Sequence, residues 1–235
     1  MKKSCAIGIA LTVCCLISSC KRQSFTISGH LDHGENSYLY IDEINPDGIA
    51  VLDTLLLIQG NFSYTINGKA EGIYRLRLND SSFISFIGGG NDQLRISGDA
   101  DSLIRSYRIS GNRSSTILWE ANRRVDGMYH ITDSLSRLFK QAQREGRTDS
   151  LIPILDSCYF THFLSCKNFL QHLIENNPDQ LAILPLFYQR VGTRRFFSEE
   201  QDSVLFQEIV RQLEANYPEN KHTLALNERY RTRHE

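Results

Sequence analysis

From residue 25 to about residue 111 the apolar positions come in short runs, several of them alternating, with turn-forming residues between them. Residues 25–27, 38–41, 51–58, 62–66, 74–78, 83–87, 94–96 and 107–109 are rich in Ile, Leu, Val, Phe and Tyr, as strands that bury one face are. Gly60-Asn61 and Asn67-Gly68 supply residues that tolerate the positive φ of tight turns, and Gly88-Gly89-Gly90-Asn91 marks another connection. In Tyr74-Arg75-Leu76-Arg77-Leu78 the alternation puts the apolar residues on one face and both arginines on the other, towards water. Eight short strands with closely spaced turns predict a sandwich.

After Gly111 the period lengthens. Residues 114–144, 150–176, 180–191 and 199–216 repeat apolar positions at helical spacing, with breaks at Gly146, Asn177-Pro178, Gly192 and Pro218. Pro153 and Pro185 fall in or near first turns, where a missing N–H is best tolerated. The expected fold class is therefore α+β, an N-terminal antiparallel β-sandwich followed by a C-terminal helical region. The expected segments are a leader over 1–19, the sandwich over 20–112, a helical domain over 113–218 and a frayed or weakly docked tail over 219–235.

The leader changes the picture of where the chain resides. Met1-Lys2-Lys3-Ser4 is positive, residues 5–17 carry no charge, and Leu16-Ile17-Ser18-Ser19-Cys20 follows. This is the pattern of an export signal, and it is shorter than the roughly 20 apolar residues a membrane-spanning helix requires. Its end resembles a bacterial lipobox, which implies cleavage before Cys20 and lipidation of that residue. Each acyl methylene buried in the bilayer then contributes about 0.8 kcal/mol. Lys21-Arg22-Gln23-Ser24 has no acidic run of the kind that resembles a surface-export signal, so the expected location is the outer membrane, facing the periplasm.

Charge and cysteine usage narrow the chemistry. Lys+Arg 26 against Asp+Glu 27 gives a net charge of −1, which lacks the concentrated basic surface of a nucleic-acid binder. Without residues 1–19 the chain has 216 residues and 24 basic against 27 acidic side chains, and of its six cysteines only Cys20, Cys158 and Cys166 remain. The expected partners are the membrane, through Cys20, and a protein or small molecule that the sequence does not name.

The strand segment carries a wider resemblance. Phe25-Thr26-Ile27-Ser28-Gly29, Tyr38-Leu39-Tyr40, Val51-Leu52-Asp53-Thr54, Gly60-Asn61-Phe62-Ser63-Tyr64, Gly72-Ile73-Tyr74-Arg75-Leu76 and Tyr107-Arg108-Ile109-Ser110-Gly111-Asn112 occur in that order. This resembles the N-terminal domain of unknown function of Bacteroidetes lipoproteins that carry a thioredoxin-like (AhpC/TSA-type) domain after a helical spacer. The resemblance covers about residues 24–120 and implies an accessory part, or a truncated member, of a thiol-disulfide oxidoreductase system acting in cell redox homeostasis. Against that, no Cys-x-x-Cys occurs in the chain, and dithiol chemistry requires a nucleophilic and a resolving thiol within bonding reach.

Other candidate chemistry is sparse. Cys158, His162 and Cys166 share one side of an expected helix, yet eight residues of helix separate the thiols by about 12 Å, so two small buried thiols and a satisfied histidine are the expectation. His30 and His33 fall in an expected turn with Asp32, Gly88-Gly89-Gly90 lacks the Lys-Ser/Thr of a phosphate loop, and neither Gly-x-Ser-x-Gly nor His-Glu-x-x-His occurs. Arg123-Arg124 and Arg194-Arg195 are expected on solvated surface, and Glu199, Glu200 and Asp202 at a helix start. No catalytic residue, cofactor or metal ligand is assigned. Asp53-Thr54-Leu55, Asp101-Ser102-Leu103, Asp133-Ser134-Leu135, Asp149-Ser150-Leu151 and Asp202-Ser203-Val204 resemble an O-glycosylation acceptor pattern, which makes Thr54, Ser102, Ser134, Ser150 and Ser203 candidate sites, although Asp-Ser also starts helices. The functional expectation is a non-catalytic binding or scaffolding lipoprotein, with the redox-system reading as the alternative.

Overall fold

A computed structural model describes residues 23–68 and 70–234, so the leader and Cys20 lie outside the described residues. Eight strands form a sandwich of two four-stranded sheets. β1 (Ser24–Asp32), β4 (Asn61–Asn67), β7 (Gln93–Asp99) and β8 (Arg108–Ser110) form the first sheet in the order β4-β1-β7-β8, and β2 (Tyr38–Asn45), β3 (Gly48–Leu56), β5 (Gly72–Arg77) and β6 (Phe83–Gly88) form the second in the order β3-β2-β5-β6. Phe25, Ile27, Leu39, Ile41, Phe86 and Leu94 fill the space between them and are fully buried.

The sheets are rich in antiparallel pairs, as the sequence pattern predicts, and within them β1 and β7 run parallel, from Thr26 beside Gln93 to Asp32 beside Asp99. Between β1 and β7 the chain crosses to the second sheet and back twice, as β2–β3 and as β5–β6 with β4 between them, and this long connection lets it re-enter beside β1 in the same direction. Gly29 sits at the centre of that pair because a Cβ there would lie 1.8 Å from the Ile96 carbonyl oxygen.

A short helix α1 (Leu103–Ser106) precedes β8, and the chain then enters α2 (Arg113–Arg144) and α3 (Thr148–Glu175), which pack along each other. After them come α4 (Ile183–Phe187), a two-residue hairpin of β9 (Arg190–Val191) and β10 (Arg194–Arg195), α5 (Ser203–Asn216) and α6 (Lys221–His234). A second core joins Ile73 and Ile87 of the second sheet to Ile117, Leu118, Leu170, Phe187 and Leu213 from the helices.

Two polar joints on the second sheet help fasten the helical region to the sandwich. Asn112 caps α2 by accepting the Ser115 N–H at 2.8 Å and donates to the Ile87 carbonyl at 2.8 Å. Ser115 Oγ accepts the Ile87 N–H at 2.9 Å and donates back to the Ile87 carbonyl. Both backbone groups of a residue on the open edge of β6 are thereby satisfied by the first turn of a helix. At the other place Asn220 donates to the Glu71 carbonyl at 2.6 Å and accepts the His222 N–H at 2.9 Å, while Lys221 Nζ donates to Glu43 Oε1 at 2.6 Å and also to Asn45.

These contacts correct several expectations. The stretch expected to fray is α6, capped by Asn220 and seated by buried Thr223 and Leu226. The helix expected over 180–191 shortens to α4, because Leu181, Ala182, Ile183, Leu184, Leu186 and Phe187 bury on every side and carry no helical face, and Gly192 at φ 58° reverses the chain into β10. Helix α5 starts at Ser203 rather than 199, since Glu199 accepts from Tyr188 Oη at 2.7 Å and Asp202 from Lys167 Nζ at 2.6 Å. Arg75 and Arg77 do not face open water: both donate to Oδ2 of Asp42, at 2.8 and 2.9 Å, and the Asp42 side chain has no exposure at all. Arg77 also lies 4.2 Å from the centre of the Tyr40 ring.

Asp42→Ala is expected to destabilise the fold by about 3–5 kcal/mol in chemical denaturation, because it leaves two largely buried guanidinium groups without their shared carboxylate. Glu71 gives a pH-dependent counterpart. Burial pushes its carboxyl above the usual carboxylate range, opposed by the hydroxyls of Tyr217 and Ser114. A raised folded-state value means that the native state favours the proton, so stability is fullest below pH 4.5 and declines as pH rises through the folded value. Glu71→Gln is expected to raise the denaturation midpoint at pH 7 and to lose that advantage below pH 4.5.

Candidate functional site

The outward face of the first sheet carries a groove lined by serine, histidine and arginine side chains and one tryptophan. Because Phe25, Ile27 and Leu31 point inwards, the alternation of β1 sends Thr26, Ser28 and His30 outwards. Strand register then sets Ser63, Ser28, Arg95 and Ser110 in one row across the sheet and Asn61, His30, Ser97 and Arg108 in the next. Neither row contains an acid. Trp119 of α2 walls the groove, its indole N–H donating to the Tyr107 carbonyl at 2.8 Å and its ring 5.8 Å from the Arg108 guanidinium carbon. The groove encloses about 530 Å³.

Arg95 and Arg108 make no ion pair among the described residues, although the register makes them diagonal neighbours across β7 and β8. Two adjacent guanidinium groups offer ten N–H donors between them and no acceptor, which suits a carboxylate or phosphate. The serine hydroxyls add donors and acceptors, and the indole face is a platform for a flat or ring-shaped group. Both ring nitrogens of His30 are engaged, Nδ1 with Asn61 Oδ1 at 3.2 Å and Nε2 with Asp32 Oδ1 at 3.1 Å, which fixes the imidazole in its row.

The next row is acidic. Asp32 and Asp99 are register partners at the ends of β1 and β7. His33, at φ 57° just past β1, places Nδ1 3.1 Å from Asp99 Oδ2, and the other Asp99 oxygen accepts the Asp101 N–H at 2.9 Å. The hydrogen bond and the negative charge of Asp99 raise the His33 pKa above the ordinary value. His33, Asp99 and Asp101 each offer one donor atom within 4.8 Å of the others. The spacing of His30 and His33 had suggested a turn containing both, whereas His30 is in the strand and the partners of His33 lie 66 residues downstream.

The thiols are not brought together. Cys166 is buried, and burial pushes its pKa up to about 11, whereas Cys158 is half-buried and His162 is exposed rather than satisfied in a core. A thiol held so far into its protonated form is a poor nucleophile. Of the basic pairs, Arg194 lies against the rings of Tyr159, Phe160 and Phe163, and Arg124 donates to Ser165 Oγ at 2.7 Å, so these two cover aromatic and helical surface as well as meeting water. Thr54, Ser102, Ser134 and Ser150 are exposed, and Ser203 is half-buried. Thr54 stands on β3, an edge strand whose apolar Ile49, Val51 and Leu56 face solvent, and its N–H is taken by Asp53 Oδ1 at 2.7 Å. No described helix is long and apolar enough to cross a membrane.

No curated protein matches the chain. Its N-terminal part does match a known family: residues 25–118, the sandwich together with the first turns of α2, are a DUF4369 domain, a domain of unknown function.

Proposed function

We propose that this protein is an outer-membrane-anchored, periplasm-facing lipoprotein with a non-catalytic binding role, held at Cys20 and binding an anionic, hydroxyl-rich ligand on the outward face of the β4-β1-β7-β8 sheet. The observation that carries the binding role is the pair Arg95 and Arg108, diagonal neighbours with no ion-pair partner among the described residues, in a groove walled by Trp119. The anchor rests on the positive start, the uncharged run and the Ser18-Ser19-Cys20 junction. Three residues separate Cys20 from β1, which begins at Ser24. His30 is six residues further along the strand, so the far end of the groove lies about 20 Å along β1 from Ser24 at 3.3 Å per residue.

The reading as part of a thiol–disulfide system has weaker support. Cys166 is buried with a raised pKa, and Cys158 is eight helical residues away, about 12 Å along the axis. Thr54, Ser102, Ser134, Ser150 and Ser203 remain candidate O-glycosylation acceptors under the envelope reading, and four of the five are exposed.

The test uses the only tryptophan in the chain. Full-length protein extracted in detergent, titrated with oligogalacturonate, is expected to show a saturable change in Trp119 emission. Arg95→Ala or Arg108→Ala is expected to weaken binding at least tenfold, neutral dextran oligomers to give no response, and Cys20→Ala to move the protein from the membrane to the soluble fraction without altering the titration. Emission unmoved by oligogalacturonate and by inorganic phosphate would sink the binding role, and Cys20→Ala left in the membrane fraction would sink the anchor.

A further inference from the structure

The outer half of α3 is largely apolar, and it lies uncovered beside an apolar stripe, Leu135 and Phe139, on the outer half of α2. Beyond Met128 the only buried residue of α2 is Ala142, and before Phe163 the only one of α3 is Leu155. Between residues 151 and 166 the sole charged side chain is Asp156. A helix so poor in charge normally has neighbours on most sides, yet here one partner helix covers one face. On one side of the hairpin Leu135 and Phe139 of α2 and Ile152, Leu155 and Tyr159 of α3 line an open groove of about 480 Å³. Two charges stand on its walls, Lys140 on α2 and Asp156 on α3, and neither has an ion-pair partner among the described residues.

We propose that this groove is a dimer interface, filled by the same groove of a second copy of the chain in a two-fold, four-helix arrangement. The proposal rests on neither the Cys20 anchor nor the sheet groove. Its ground is that the pattern is self-complementary, as a two-fold interface must be. The turn between the helices is three residues, 145–147, so the end of α2 at Arg144 and the start of α3 at Thr148 are level. At 1.5 Å per residue, Lys140 lies about 6 Å from the tip of the hairpin and Asp156 about 12 Å. Leu135 lies about 14 Å from the tip and Ile152 about 6 Å, and Phe139 and Leu155 about 8 and 10 Å.

A two-fold axis about 9–10 Å from the tip therefore sets Lys140 opposite the partner's Asp156, Leu135 opposite the partner's Ile152 and Phe139 opposite the partner's Leu155, all at once. A foreign apolar helix would bury the groove without answering both charges symmetrically. With the axis there the two hairpins overlap over about 20 Å, and two helices are about 20 Å wide, which gives roughly 800 Å² counted over both copies. That is in the range of weak, transient interfaces, so the dimer is reversible.

Charge reversal tests the register. Two differently tagged full-length copies, coexpressed and extracted in detergent, are expected to co-isolate. Lys140→Glu on both copies, or Asp156→Lys on both, is expected to cut co-isolation at least tenfold. A Lys140→Glu copy with an Asp156→Lys copy is expected to restore it, because both cross-axis pairs are again of opposite sign. Both residues are at the surface, and the mixed pair shows that neither variant has merely misfolded. Wild-type copies that do not co-isolate, copies that co-isolate equally in every combination, a mixed pair no better than the single variants, or a different protein retained in place of the second copy would each overturn the proposal.

Discussion

The structure depends on what happens to the backbone of Ile87. A four-stranded sheet has two edges, and β6 is one of them, with an N–H and a carbonyl at Ile87 that β5 does not use. The first turn of α2 supplies both missing partners through Ser115 and Asn112, and the same turn sends Ile117 and Leu118 into the core that Ile73 and Ile87 share with the helices. The sandwich and the helical region therefore do not meet at a linker. The family match ends at residue 118, six residues inside α2, as expected if its start belongs to the sandwich.

The same helix explains why one sheet is covered and the other is open. Helix α2 lies against β6 and β8, one edge strand from each sheet, and α6 is tied to β2 through Lys221. The helical region is thus committed to the second sheet, and the outward face of the first keeps its polar rows, with Trp119 reaching over from α2 as a wall. The far ends of α2 and α3, by contrast, extend beyond anything the sandwich can cover.

Much of this was legible in the sequence because it follows from local period. The strand runs, the long helices after Gly111 and the break at Gly146 all appear at their expected places, since alternation and helical spacing record which face is buried. What was not legible depends on residues far apart in the chain. Outward alternation correctly placed Arg75 and Arg77 off the sandwich core, but nothing local shows that Asp42, more than thirty residues earlier, is buried between them. The parallel pairing of β1 with β7 has no period of its own. The run from Leu181 to Phe187 is buried all round, so its apolar residues carry no face from which to read helix length. The groove was hidden for a related reason: Arg95 and Arg108 look like ordinary solvent positions of two separate strands until register makes them neighbours.

The central claim is that the sandwich and the helices are one cooperative unit joined at Ile87, and native-state hydrogen exchange tests it most directly. The account predicts that the amides of Ile27 in the sandwich, Ile87 at the joint and Leu170 in α3 exchange with the same opening free energy and the same dependence on denaturant. Exchange of Leu170 through a lower-energy opening that leaves Ile27 protected would contradict it.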